Sequence, residues 1–243
     1  MDLDRDRSPA AVLWRRAAAE FIGTGLLVTI VVGSGIMASR LSPDDVGLQL
    51  LENSLATALG LGVLILVFGP VSGSHFNPVV SIVDAVAGRG SGLRPRQLLA
   101  YLLAQVTGAI CGALLANAMF GVPTSIATND RVDLGRVIGE VVATAGLLLV
   151  ILGLARTARP GMIAASVGAY IGAAYWFTSS TSFANPAVTI GRMFSDTFAG
   201  IAPSSAAAFI AAQLVGGAIG LALAIAIFPR IPQRSHPDPT VRA

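Results

Sequence analysis

Ser74-His75-Phe76-Asn77-Pro78-Val79-Val80 and Ser182-Phe183-Ala184-Asn185-Pro186-Ala187-Val188 are the two stretches whose reading decides the fold. Each places Asn-Pro-small-Val after a long apolar segment. Asn is a good helix N-cap, because its side-chain oxygen accepts an orphan N–H of the first turn. Pro in the next position has its φ preset for the first helical residue and lacks the N–H that would be orphaned there. Each stretch therefore predicts the start of a helix. The helices that follow, Asn77 to about Ala87 and Asn185 to about Ser195, are about 11 residues or ~16 Å long, half a bilayer core. Both are expected to be re-entrant half-helices, the alternative being amphipathic surface helices.

The surroundings are membrane-like. The chain has 243 residues, 54% hydrophobic and 12% charged, with mean hydropathy +0.74. A soluble domain carries roughly 25% charged residues. Six spans are predicted at Trp14–Ala38, Leu48–Val71, Gln97–Phe120, Leu134–Ala155, Gly161–Thr181 and Ser205–Phe228, each long enough for a core of about 30 Å. The fold class expected is an all-α membrane protein, with six transmembrane helices and two half-helices. A net charge of +3 does not point to nucleic acid, because the arginines are scattered over loops instead of forming a stripe. The single cysteine, Cys111, excludes an internal disulfide. Met1 to Pro9 is polar and lacks the apolar stretch of a removed signal peptide.

Lysine is absent, so orientation rests on arginine. With both termini cytoplasmic, Arg5, Arg7, Arg15, Arg16, Arg89, Arg94, Arg96, Arg156, Arg159, Arg230, Arg234 and Arg242 lie inside. Arg40, Arg131, Arg136 and Arg192 lie outside, and this asymmetry predicts both ends in the cytoplasm of a chain expected in the cell (inner) membrane.

The halves repeat. Asn185 follows Asn77 by 108 positions, and Ala212-Gln213-Leu214-Val215-Gly216-Gly217 follows Ala104-Gln105-Val106-Thr107-Gly108-Ala109 at the same spacing. Glu140 follows Glu20 by 120, so the first half carries 12 extra residues, expected in the loop Arg40–Gly47. Three spans per half is an odd number, so the second copy, about 134–228, is inverted relative to the first, about 14–120, within one channel-like domain flanked by tails 1–13 and 229–243. In such inverted repeats the functional site sits at the discontinuous helices. The pairs Gly108/Gly112 and Gly216/Gly220 suit close helix packing.

Two half-helices entering from opposite faces bring two positive N-termini together, each worth about half an elementary charge, which opposes cations. Asn77 and Asn185 cap their helices through oxygen and keep NH₂ groups for a passing oxygen atom. A water held by both asparagines points its hydrogens away from the centre, which interrupts a proton-conducting chain.

Ser72-Gly73-Ser74-His75-Phe76-Asn77-Pro78-Val79-Val80, Asn185-Pro186-Ala187, Ala19-Glu20-Phe21-Ile22-Gly23-Thr24 and the paired Ala-Gln-x-x-Gly blocks resemble the major intrinsic protein family, the aquaporins and aquaglyceroporins. The resemblance covers about Glu20 to Phe228 and implies an aquaporin-like fold, a homotetramer with one pore per subunit, small neutral solutes as cargo, and no cofactor or metal. It also points to four selectivity-filter positions, counted without gaps from the asparagines: Thr57, Ala173, Ser182 and Val188. The family commonly has an aromatic residue at the first, histidine at the second in water-selective members, and arginine at the last. This chain departs at all three. The implied pore is wide, uncharged and weakly polar, passing water, glycerol-like polyols and, as in one bacterial branch, metalloid hydroxides such as arsenite.

Glu20 and Glu140 are carboxylates inside spans, either proton-coupling groups or structural acceptors for the unwound chains before each half-helix; their matched positions favour the structural role. Two readings stay open for His75: a pore-facing group or a hydrogen-bonded packing residue. Arg192 lies one turn beyond Val188 on the same face, and Asp84 holds the equivalent position in the first half. Both are vestibule candidates, against Arg192 pairing with Asp196. Trp14, Trp176, Tyr101, Tyr170 and Tyr175 read as interface or core aromatics. A passive channel is the leading reading. An ion-coupled secondary transporter and a non-conducting structural membrane protein are the alternatives, and nothing in the sequence supports an enzyme.

Overall fold

The computed structural model describes residues 9–88 and 92–228, all helix and connection. The long helices are α1 (Pro9–Leu41), α2 (Val46–Ser72), α4 (Pro95–Phe120), α5 (Leu134–Arg156) and α8 (Pro203–Ile227), with α6 (Ile163–Phe177) shorter. Two short helices, α3 (Pro78–Ala87) and α7 (Pro186–Arg192), follow the Asn-Pro motifs. Proline opens α3, α4, α7 and α8 in its first turn, and Asp45 and Asp133 cap α2 and α5 through bonds of 2.8 Å from Leu48 N and Arg136 N.

The five long helices have the length and apolarity to cross a membrane. α6 falls short of the predicted span 161–181. It has 15 residues, about 22 Å. The reason lies in the hydroxyl-rich run Thr178-Ser179-Ser180-Thr181. Thr178 Oγ1 bonds back to Ala174 O at 2.7 Å, and Ser179 Oγ donates to Gly135 O at 2.8 Å. Such local side-chain bonds compete with helix continuation. A single 3-10 turn, Pro160–Met162, precedes α6. α7 also stops earlier than expected, at Arg192, where Met193 N and Phe194 N close 3-10-type bonds onto Ile190 and Gly191. Residues 9–13, expected in the tail, belong to α1; the expected tail 229–243 and Arg5, Arg7 and Arg89 lie outside the described residues.

The extra residues of the first half are not in the loop at 40–47. The α1–α2 connection is shorter than the α5–α6 connection, 42–45 against 157–162. The additional length extends α1 past Glu20 and starts α2 well before Asn77. Asp45 restarts the helix at once, and Gln49 Nε2 ties back to Ser42 O at 2.7 Å.

Packing follows the repeat. α4 lies on α1, α8 lies on α5, and α2 joins α1 to α6. α7 packs on α4 and α1, while α3 packs on α4 and α8. A Cβ at Gly108 or Gly112 would stand 2.3 or 2.1 Å from the carbonyl oxygens of Phe21 or Gly25. In the second half, Gly216 and Gly220 meet those of Val141 and Ala145 at 2.5 and 2.6 Å. These glycines let helix backbones touch, the packing device of membrane bundles. Counting α6 with its preceding 3-10 turn as a sixth crossing puts the start of α1 and the end of α8 on one face, the first face, with the α1–α2 and α7–α8 connections on the second.

Candidate functional site

The chain before each half-helix is unwound and strained. Ser74 and Phe76 have φ of 50° each, and Ser182 and Ala184, their counterparts 108 residues on, have 51° and 49°. Non-glycine residues hold this left-handed backbone only when their surroundings over-determine it. Two fully buried carboxylates do so. Glu20 accepts His75 N at 3.0 Å and Phe76 N at 2.7 Å, with Ser72 Oγ at 2.6 Å and Gln105 Nε2 at 2.8 Å. Glu140 accepts Phe183 N at 2.8 Å, Ala184 N at 2.9 Å and Gln213 Nε2 at 2.6 Å. This is the arrangement their matched positions lead one to expect. The glutamines then reach the half-helices: Gln105 Nε2 donates to Ser81 Oγ and Gln213 Nε2 to Thr189 Oγ1, both at 2.9 Å.

The two asparagines meet. Asn77 Oδ1 caps α3 by accepting Val79 N at 2.9 Å, and Asn185 Oδ1 caps α7 by accepting Ala187 N at 3.0 Å and Val188 N at 3.3 Å. Each amide nitrogen crosses to the other motif. Asn77 Nδ2 donates to Ala184 O at 2.8 Å, and Asn185 Nδ2 to Phe76 O at 2.7 Å. One hydrogen of each NH₂ is thus spent on stitching the motifs, and the second remains beside the cavity that both residues line. Pro78, Val79, Pro186 and Ala187 are buried.

A cavity of about 240 Å³ runs past the asparagines, lined from α1, α2, α3, α5, α6, α7 and both unwound segments. Toward the second face its wall includes Thr57, Ser182 and Val188, three of the four filter positions expected. Ala173 is the fourth expected position. It is exposed on the outer side of α6 and does not line the cavity. Ile163, Val167, Ile171 and Tyr175 form the inward row of α6. Residue 173 lies two positions from that row, a rotation of ~200°. Tyr175, read from sequence as a plain core or interface aromatic, lines the cavity from this row, and its hydroxyl shares a 3.2 Å hydrogen bond with Thr57 Oγ1. The i, i+4 spacing of the row was the signal for it. The wall is therefore not free of aromatic side chains, as the four counted positions had implied.

The mouths differ in charge. Asp84 and His75 line the cavity near the first face, and both also border a polar recess of about 330 Å³ with Arg16, Arg94 and Tyr101. His75 combines the two readings open for it: it faces the cavity, bonds Ser81 Oγ through Nδ1 at 3.1 Å, and sits edge-on to the Tyr101 ring. Asp84 Oδ2 accepts Leu93 N at 2.9 Å. Arg192 lines the cavity toward the second face, only 3% exposed. It does not pair with Asp196, whose carboxylate is taken by Thr128 N and Oγ1. Its Nε donates to Ala199 O, and its guanidinium lies on the Phe183 ring.

The match to known proteins agrees with this geometry. Residues 7–182, more than half of the chain, match the model of the major intrinsic protein family. The chain is 49% identical over 212 residues to aquaglyceroporin AqpS of Rhizobium meliloti (strain 1021), covering 87% of this chain and 89% of that protein. The chain belongs to the major intrinsic protein family. A further relative within it, aquaporin Z of Brucella melitensis biotype 1, is 33% identical over 224 residues, 84% of this chain and 94% of that one. In fold, the X-ray structure of the aquaglyceroporin from Plasmodium falciparum superposes with a TM-score of 0.63 at 23% identity, over 87% of this chain and 93% of that one. A major intrinsic protein is a multi-pass membrane channel for small neutral solutes and not an enzyme, which disfavours the coupled-transporter and non-conducting alternatives. Among the described residues no group of His, Cys, Asp and Glu is arranged to hold a metal ion.

Proposed function

We propose that this major intrinsic protein passes water and glycerol-sized polyols down their own gradients, through one pore formed by the two inverted repeats, about 14–120 and 134–228. The observation that carries the reading is the composition of the cavity between the asparagines and the second face. The hydroxyls of Thr57, Tyr175 and Ser182 stand on a wall shared with the apolar side chains of Val31, Leu61, Ile171 and Val188. A polyol presents hydroxyls on one side and C–H groups on the other, so such a wall serves both. Ser182 Oγ is buried without a hydrogen-bond partner in the structure. The kinship to an aquaglyceroporin at 49% identity supports the same solute class. Neutral metalloid hydroxides such as arsenite display hydroxyls in a similar way and belong to the same class. Asn77 and Asn185 act as the central donors, Thr57, Tyr175, Ser182 and Val188 as the filter wall, and His75, Asp84 and Arg192 as the mouths.

The same reading places both termini in the cytoplasm of the inner membrane. Arg15, Arg16, Arg94, Arg96, Arg156 and Arg159 on the first face support it. It also includes assembly as a homotetramer, supported by the exposed apolar row Leu51, Leu55, Leu59 and Leu66 on α2. Stopped-flow permeability of proteoliposomes to water, glycerol, urea and arsenite, side by side, tests it. Glycerol flux well above protein-free vesicles is expected; passage of water with exclusion of glycerol contradicts the solute class.

A further inference from the structure

Two arginines at the second-face mouth are built into the protein without a carboxylate. Arg192, on α7, is 3% exposed and lines the cavity. Arg131 comes from the α4–α5 connection and does not line it. Both guanidiniums lie over one ring, that of Phe183, at 3.4 Å for Arg192 and 5.5 Å for Arg131. They also hold three successive carbonyls of the α7–α8 connection. Arg131 donates to Phe198 O at 2.8 Å and to Gly200 O at 2.7 Å, and Arg192 donates to Ala199 O between them. Among the described residues neither is in a salt bridge. Asp196 and Asp130 bond Thr128 and Ser205, and Glu140, the buried carboxylate that accepts Phe183 N, acts on both guanidiniums through space without an ion pair to either. Carbonyl oxygens and a ring face orient a guanidinium without cancelling its charge. Arg192 therefore presents to the pore a positive charge with no carboxylate in contact, in a low-dielectric wall where screening is weak.

We propose that Arg192 is the charge-selectivity residue of this channel and that Arg131 is its positioning residue, acting through Phe183 and the 198–200 carbonyls. The proposal rests on the channel reading. It assigns cation exclusion at the second-face mouth to a residue four positions beyond Val188. The seventh position after each motif asparagine then gives the pore a polarity: Asp84 at the first-face mouth, Arg192 at the second.

The test measures potassium leak and glycerol influx in the same proteoliposomes, for wild type and for Arg192→Ala, Arg192→Gln, Arg192→Lys, Arg131→Gln and Arg131→Lys. Removing a unit charge at contact range from a poorly screened pore is expected to raise potassium leak on the order of 10- to 100-fold in Arg192→Ala and Arg192→Gln. Glutamine keeps an N–H donor toward Ala199, so it asks the question even where alanine fails to fold. Lysine at 192 is expected to preserve exclusion. Arg131→Gln is expected to raise the potassium-to-glycerol permeability ratio, with rescue by lysine. Glycerol influx separates the two claims. A wild type without glycerol flux overturns the channel reading; glycerol flux intact with potassium leak at the wild-type level in Arg192→Gln overturns the charge assignment alone. A ratio unchanged in a folded Arg131→Gln protein removes the positioning role.

Discussion

The Tyr175 hydroxyl lies 3.2 Å from Thr57 Oγ1, joining α6 to α2 across the wall of the cavity. Both line the cavity, which Ala173, the position counted from Asn185, does not. Tyr175→Ala is therefore expected to open the wall and raise the permeability to solutes larger than glycerol several-fold. Ala173→Trp, on the outer face of α6, is expected to leave every solute rate unchanged. Stopped-flow rates for a series of polyols check both, and a block of flux by Ala173→Trp would return that residue to the filter.

The buried carboxylates hold the unwound segments. Glu20 accepts from Ser72, His75, Phe76 and Gln105, and Glu140 from Phe183, Ala184 and Gln213. A bond to a charged group is worth about 1.5–3 kcal/mol, and glutamine turns an N–H donor toward backbone N–H donors. Glu20→Gln and Glu140→Gln are expected to lower thermal stability by several degrees at least, with the surviving protein conducting independently of proton or sodium gradients. Proton uptake stoichiometric with solute in wild type, lost in Glu140→Gln, contradicts the structural role.

Helix contact at Gly112 is close enough to decide a sign. Its Cβ would stand 2.1 Å from Gly25 O, and backbone cannot give way as a side chain can. Gly112→Ala is expected to destabilise by about 1–3 kcal/mol or more. Gly161→Ala, with nothing within 4 Å of the added Cβ, serves as the control and should be near neutral. Thermal unfolding of the detergent-solubilised protein compares them; equal stability of the two variants argues against the α1–α4 packing.

Asn185 carries two jobs in one side chain, the cap of α7 and the bridge to Phe76 O. Asn185→Ala is expected to cost about 0.5–2 kcal/mol for the cap alone and to cut solute flux per folded molecule. Asn77→Ala should behave alike, because Asn77 makes the mirrored pair of bonds. Normal flux in a folded Asn185→Ala protein is incompatible with a central donor role.

The helix starts, the half-helices and the carboxylate anchors were legible in the sequence because each depends on local chemistry: a cap, a proline, a matched spacing. Asn77, Asn185, Glu20 and Glu140 all sit where those rules put them. Tyr175 was not legible by counting, because the chain between α6 and Asn185 is irregular and a spacing through it carries no helical phase; only the inward row Ile163, Val167, Ile171, Tyr175 does. The extra residues of the first half were misplaced for a similar reason. Pro43, Asp44 and Asp45 read as a loop, yet they make a tight turn whose last member caps α2. Arg192 was legible as sharing the face of Val188, but its hold on Ala199 and Phe183 depends on a connection folded back from α7, which no periodicity encodes.

The most direct test of the central claim is glycerol entry into proteoliposomes under imposed proton and sodium gradients of either sign. A passive pore through the two Asn-Pro motifs predicts an initial rate well above protein-free vesicles, set by the glycerol gradient alone and unchanged when the ion gradients are reversed or collapsed. Glycerol accumulation beyond its own equilibrium, driven by either ion gradient, or a rate equal to that of empty vesicles, would contradict the account.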